Sequence, residues 1–285
     1  MGSEARAAIP SSVKRILRQE AGFGCCKCGL PIIQYHHILP WQVEQHYRPE
    51  DMMVLCPTHH DQATKGALPE AEQRSLKADP FNIRMKRAKG FLEIKQDYCA
   101  ADFGSVTVVN EGSFLIVDDV PLLGFDMGDK NLEISLKLYS QSDELLIEIE
   151  RNEWVSGDPL PWDIEADWQT LTLRERQRKI ALTINGKFIP LRVSGEFWKS
   201  GKRIRCNEAG LTIENSSVVI FQEIALVGLA LQVRTENMSV TPSGNSDGGC
   251  IVSWGHRRER LWKARAAWQT IAAKRETPSD GVEGL

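Results

Sequence analysis

Residues 25–60 read CCKCGLPIIQYHHILPWQVEQHYRPEDMMVLCPTHH, and the spacing of their cysteines and histidines decides how the N-terminal part of the chain folds. Two residues separate Cys25 from Cys28, and two separate Cys56 from His59. Such a gap lets both side chains of a knuckle turn toward one ion, so the two pairs predict a closed tetrahedral zinc site of three sulfurs and one nitrogen. In a short, loop-rich segment the metal replaces much of a hydrophobic core; structural zinc contributes roughly 10–16 kcal/mol in isolated fingers. Cys26 is the alternative ligand of the first pair, but only one residue separates it from Cys28, and it reads as a free thiol, packed or exposed. His36, His37 and His60 are then left over, three of the six histidines of the chain. They either pack, substitute as zinc ligands, or form a second site.

Outward from this stretch, residues 11–22 predict a short helix, with Pro10 and Ser11 or Ser12 at its start and Val13, Ile16 and Leu17 on one face; Gly22 and Gly24 end it. On the other side Leu68 to Ala78 predicts a helix, with Pro69 in the first turn and Glu70 and Glu72 complementing the dipole, closed by Asp79-Pro80.

From about residue 104 to 235 the period changes to two, as in Leu132-Glu133-Ile134-Ser135-Leu136-Lys137-Leu138 and Leu145-Leu146-Ile147-Glu148-Ile149-Glu150. Alternation of this kind predicts strands. Further runs at 179–184, 187–193, 202–206, 210–214, 217–221 and 224–234, with Asn185-Gly186 and Ser200-Gly201 as turns, predict an all-β region of many short strands; sandwich, barrel and β-solenoid stay open. Trp154, Trp162, Trp168 and Trp198 fall in loop-like segments, where they either anchor loops or line a ligand site. Ser239 to Gly249 reads as a polar linker. Trp254 to Glu276 follows as a basic amphipathic helix, and the last nine residues read as frayed. The expected organisation is α+β: residues 1–98 with structural zinc, 99–236 all-β, and 237–285 linker, helix and tail.

With 285 residues and 42% hydrophobic content the chain can bury its own cores. Its longest apolar run, Ile220 to Val233, is interrupted by Gln222 and Glu223 and is too short for a membrane span. The seven cysteines are odd in number and clustered, unlike a secreted disulfide framework, and no signal-peptide pattern opens the chain, so the expectation is a cytoplasmic protein with no membrane partner. The net charge of −3 divides into +3 for residues 1–98, −9 for 99–253 and +3 for 254–285. An acidic middle disfavours polyanion binding there, whereas the two ends can face phosphates or simply be solvated.

Over about residues 10–98 the chain resembles the HNH endonucleases, specifically the branch whose ββα-metal motif is held by zinc knuckles. The resemblance rests on the Cys25/Cys28 pair, on His36-His37-Ile38 followed by Pro40, on Asp51-Met52-x-x-Leu55-Cys56, and on His59-His60. It implies a small ββα-metal domain that hydrolyses phosphodiester bonds of nucleic acid, with DNA favoured. His37 is then the general base, suited by an unperturbed pKa of about 6.5. His36 and His60 hold a catalytic divalent ion, magnesium, manganese or another transition metal, and imidazole ligation favours the last. The family has asparagine where this chain has Asp51, which adds a negative charge that either binds the cation or marks a changed activity. Thr64, one helical turn beyond His60, is a further candidate ligand. Lys65, Arg84, Lys86, Arg87 and Lys89 are candidate phosphate contacts, or solvated surface.

Two alternatives follow from the same residues: a zinc-containing nucleic-acid-binding module without catalysis, and a nuclease effector switched on by a ligand or protein partner at the β-region. A zinc nucleobase deaminase is disfavoured, because the chain has neither His-x-Glu nor a proline before its cysteine pair. Oligomeric state is not readable.

Overall fold

The computed structural model describes residues 8–276 apart from 130, 158–159, 216, 235–236, 243–248 and 254–255. By its internal contacts the chain divides into two compact units. The first comprises residues 1–91, 155–168 and 172–179; the second comprises 92–154, 169–171 and 180–285. The expected division at residue 98 thus differs from the one observed, in which segments from the period-two region join the N-terminal unit.

In the first unit, α1 (Ser11–Glu20) buries Leu17 and Arg18. An antiparallel pair follows, β1 (Gln34–His37) and β2 (Met52–Leu55), with Tyr35 opposite Val54 and His36 opposite Met53. All four residues of β2 are buried, and Leu17, Ala21, Ile38 and Leu68 pack with them into a small core. Next come α2 (Pro57–Thr64), α3 (Glu70–Ala78) and α4 (Phe81–Arg84). Pro57, Pro69 and Pro80 stand at or just before these helix starts, where the missing N–H costs nothing. The short α4 was not evident in the sequence, because four residues after Asp79-Pro80 carry no periodic signal.

The later segments are tied into this unit by a buried ion pair. Arg18 donates from Nε to Asp163 Oδ1 at 2.9 Å and from a terminal nitrogen to Oδ2 at 2.7 Å. Another terminal nitrogen donates to the Tyr35 hydroxyl at 2.7 Å. Burial alone would disfavour the charge on Arg18, but the bond to Asp163 and the neighbouring negative groups outweigh it and raise its pKa.

The second unit is a large curled sheet. The expected strands are present as Leu132–Tyr139, Leu145–Glu150, Lys179–Asn185, Lys202–Asn207, Gly210–Glu214 and Val218–Phe221. The run at 187–193 starts late, as Leu191–Lys199, because Pro190 cannot donate to a ladder. The run at 224–234 is split into Ala225–Val227 and Leu229–Val233 by Gly228 at φ 62°. Parallel pairings close long loops: Thr107–Val109 with Ala225–Val227, and Leu115–Val117 with Leu231–Val233. Strands Ala100–Phe103 and Val106–Val109 are buried on both faces, hence without alternation. Gly104 joins them at φ 64°, where an added Cβ would lie 1.7 Å from the Asn207 carbonyl oxygen. Phe103 stacks on Phe114 and leans on Phe125 at the centre of this core.

The expected linker is corrected in part: Met238–Pro242 is a strand paired with Leu229–Val233, and Cys250–Val252 pairs with Ala225–Val227. Residues 243–248 of that stretch lie outside the described residues, as do Trp254 and residues 277–285. The C-terminal helix α5 begins at Arg257 and reaches Glu276, and its Ala264 and Trp268 pack against Ala100, Val109, Ala225 and Val227. Of the tryptophans expected in loop-like segments, Trp154 and Trp198 instead lie in strands, Trp154 fully buried, whereas Trp168 is 56% exposed. No helix among the described residues is long and apolar enough to cross a membrane.

Asn152 fastens one corner of this sheet. It is buried with φ 68°, accepts from Ile134 N at 2.8 Å through Oδ1 and donates to Leu132 O at 2.7 Å through Nδ2. Removing both bonds strands two buried backbone groups, so Asn152→Ala should lower stability by about 2–4 kcal/mol in urea unfolding. Asn152→Gly, which tolerates the positive φ, should lose somewhat less.

Candidate metal centre and histidine cleft

Cys25 and Cys28 sit on a tight turn after α1. Cys25 N donates to Leu30 O at 2.9 Å, and Gly29 N donates back to Cys25 O at 2.8 Å. Gly29 has φ 77°, and a Cβ there would come within 2.3 Å of Asn82 Oδ1. Asn82, buried on α4, donates to Gly22 O at 2.8 Å and Gly29 O at 3.3 Å, so it braces both ends of this turn. Nothing in its local sequence marked Asn82 for that task. On the other side β2 runs straight into Cys56, the residue that caps α2, and His60 N donates to Cys56 O at 2.8 Å.

These two segments bring Cys25, Cys28, Cys56 and His59 together, with ligand atoms all within 4.8 Å of one another. His59 Nδ1 lies 3.3 Å from Cys25 Sγ and 3.2 Å from Cys56 Sγ, and Cys28 Sγ lies 3.9 Å from Cys56 Sγ. A tetrahedral zinc with ordinary bond lengths separates sulfur from sulfur by about 3.8 Å and sulfur from nitrogen by about 3.6 Å. The group can therefore hold a metal ion such as zinc. Burial pushes the Cys25 thiol up and the Cys28 thiol up to about 12, so loading a cation here displaces protons. Cys26 stays out: its thiol is buried in the core, and burial pushes its pKa up to about 12.

His36, His37 and His60 line one cleft of about 380 Å³ with Tyr35, Trp41 and Gln73. Gln73 Nε2 donates to Leu68 O at 2.8 Å, which turns its Oε1 toward His36 Nε2 at 3.0 Å. His36 thus donates from Nε2 and carries its lone pair on Nδ1. Its ring and that of His60 are 5.1 Å apart and nearly perpendicular. Two imidazoles ligating one ion at about 2.0–2.1 Å would have a similar centroid separation, about 5 Å, as does an edge-to-face ring contact. Burial, and next the repulsion of His60, pushes His36 down to about 4; burial also lowers His60. Among the described residues only the cysteine-containing group gathers three or more such ligands.

His37 is differently placed. Its Nε2 is 3.0 Å from His46 O, which again puts the ring lone pair on Nδ1, and the ring is edged by Trp41 at 5.5 Å and His46 at 5.1 Å. His46 fixes the loop that supplies this carbonyl: its Nδ1 accepts from Arg48 N at 3.2 Å, and its Nε2 donates to Leu39 O at 3.2 Å. Sequence reasoning passed over His46, for which only its being one more histidine near the cluster was a signal.

Asp51 is spent elsewhere. Its carboxylate meets Arg48 Nε at 3.0 Å and a terminal nitrogen of Arg74 at 3.1 Å, and the Arg48 bond foremost holds it below the usual carboxylate range. Its backbone oxygen accepts from Ile38 N at 2.8 Å, bracing the loop after His37. Thr64 Oγ1 donates to His60 O at 2.9 Å, which occupies the proton of that hydroxyl. Lys65 and Arg84 pair with Asp61 and Asp79. Compared with protein families, with characterised proteins and with solved structures, the chain matches none.

Purified protein should carry about one zinc per chain by elemental analysis. Cys56→Ser should lose that zinc and the cooperative melting of the first unit, whereas Cys26→Ser should keep the metal. Equal losses in both variants would mean the ligand set is misassigned.

Proposed function

We propose that the first unit is a metal-dependent endonuclease of the ββα-metal kind, with the cysteine-histidine cluster as its structural zinc site. The observation that supports this most is the division of labour among adjacent histidines. His59 faces the cysteines, while His36 and His60 come together in a cleft whose third histidine has its proton held on Nε2 by the His46 carbonyl.

A divalent ion at His36 and His60 would neutralise charge on the phosphate and polarise the leaving oxygen. His37 would accept a proton from the attacking water at Nδ1, since Nε2 is committed to the His46 carbonyl. The water oxygen would form a bond to phosphorus as the opposite phosphorus–oxygen bond breaks, the leaving oxygen would take a proton from solvent, and His37 would return its proton to solvent afterwards. Gln73 orients His36, and His46 orients the His37 loop; both are positioning residues. Low basicity of His36 keeps it neutral at pH 7, as ligation requires.

A binding module without catalysis is the second reading. The arginine-neutralised Asp51 favours it, as does the presence of only two imidazoles at the second centre.

Wild type should nick supercoiled plasmid when given magnesium, manganese or nickel. His37→Ala should cut about 10²–10⁴-fold more slowly with zinc content and melting unchanged. His46→Ala should lower kcat by up to about 10²-fold through misplacement of the same ring. Plasmid that is bound but never cut, by protein that retains zinc, would leave the binding module as the correct reading.

A further inference from the structure

A second feature of the first unit lies beside α1, where a groove of about 480 Å³ is lined by Lys14, Arg15, Arg18, Trp162, Arg174 and Arg178 together with Asp163 and Glu165. Its charges do not cancel. Arg18 takes both oxygens of Asp163 and reaches Glu165 at 3.2 Å; Arg174 takes Glu165 at 2.6 Å and reaches Asp163 at 3.4 Å. Two arginines and two carboxylates are thereby neutralised by each other. Lys14, Arg15 and Arg178 remain, with no carboxylate partner among the described residues.

Two of these three are held by aromatic faces, which leave the charge in place. The Arg15 guanidinium lies 4.7 Å over the Trp162 ring, and the Lys14 ammonium lies 5.6 Å over Tyr35. The third, Arg178, projects from a turn at φ 64° and is exposed. Tyr35 lines the histidine cleft and touches two residues of the groove, Lys14 through its ring and Arg18 through its hydroxyl, so it lies between the two sites. By contrast Lys65 and Arg84, two of the cations read from the sequence as candidate phosphate contacts, are already paired with aspartates.

We propose that this groove binds the phosphodiester backbone of a nucleic-acid strand that passes on over Tyr35 to the histidine cleft. The proposal rests on the nuclease reading for the strand's destination, and on the groove's own uncompensated charge for the binding. A small free anion would need donors converging on one point. Here the cations come from two separate segments, α1 and the turn that carries Arg178, which suits successive phosphates. Contacts of this kind position a strand without reading its sequence.

The test is anisotropy of a fluorescein-labelled 20-base-pair duplex against the full chain carrying His37→Ala, measured over a range of sodium chloride. Adding Lys14→Gln, Arg15→Gln and Arg178→Gln together should reduce the slope of log affinity against log salt by about 2–3 and weaken binding at low salt tenfold or more. Arg178→Gln alone, a surface change that keeps the fold if the triple variant does not, should reduce the slope by about 1. Lys65→Gln with Arg84→Gln should leave it nearly unchanged. A triple variant with unaltered zinc content and melting but the same slope and affinity overturns the groove, even if wild type cuts plasmid. Equal competition by polyglutamate of matched charge also overturns it, as a general polyanion face. Groove-dependent binding by a protein that never cuts removes the nuclease reading and keeps the groove.

Discussion

The meeting of Cys25, Cys28, Cys56 and His59, their ligand atoms within 4.8 Å of one another, ties two distant segments of the first unit together. Cys25 and Cys28 arrive on a turn after α1, and Cys56 and His59 arrive at the junction of β2 with α2. Their mutual orientation is set by this cluster together with the buried residues of β2 and a backbone bond from Cys26 N to Val54 O at 3.0 Å. Once Cys56 is fixed, the first turn of α2 is fixed, and His60 is carried with it. The antiparallel register of β1 on β2 then sets His36 opposite Met53, and Gln73 on α3 closes the arrangement by orienting the His36 ring.

The buried Arg18–Asp163 pair is a constraint of a different kind. Its partners are 145 residues apart, and both are almost wholly removed from water. Burying two charges gains little net free energy over a well-packed apolar pair, but removing one partner typically costs about 3–5 kcal/mol because the other is stranded. Such a pair fixes which segment packs on α1. The Tyr35 hydroxyl, bonded to the same arginine, extends that specification to β1.

Legibility in the sequence followed locality. The grouping of Cys25, Cys28, Cys56 and His59 was readable because their spacing is itself the geometry, and Cys26 could be set aside on spacing alone. Strands 132–139 and 145–150 were readable because one face alternates with the other. Ala100–Phe103 gave no such signal, since both of its faces are buried. Met238–Pro242 was hidden in a polar stretch, because an outer strand with exposed side chains looks like a linker until its partner is known. The role of Asp51 was not readable either, for it depends on Arg74, which lies 23 residues further on. Neither His46 nor Asn82 announces itself, because each acts through backbone carbonyls that only the folded loops bring within reach.

The adjacency of His59 and His60 at the start of α2 has a practical corollary. Neighbouring residues on a helix point about 100° apart, so one peptide unit separates the structural cluster from the histidine cleft. A chelator strong enough to strip the first would also displace the second, because the anchor of the helix is gone. If the cleft holds a second ion as proposed, loss of cleavage in chelator would carry no information about which ion does the chemistry, and order of re-addition would separate the two, zinc for the frame and a second metal for turnover.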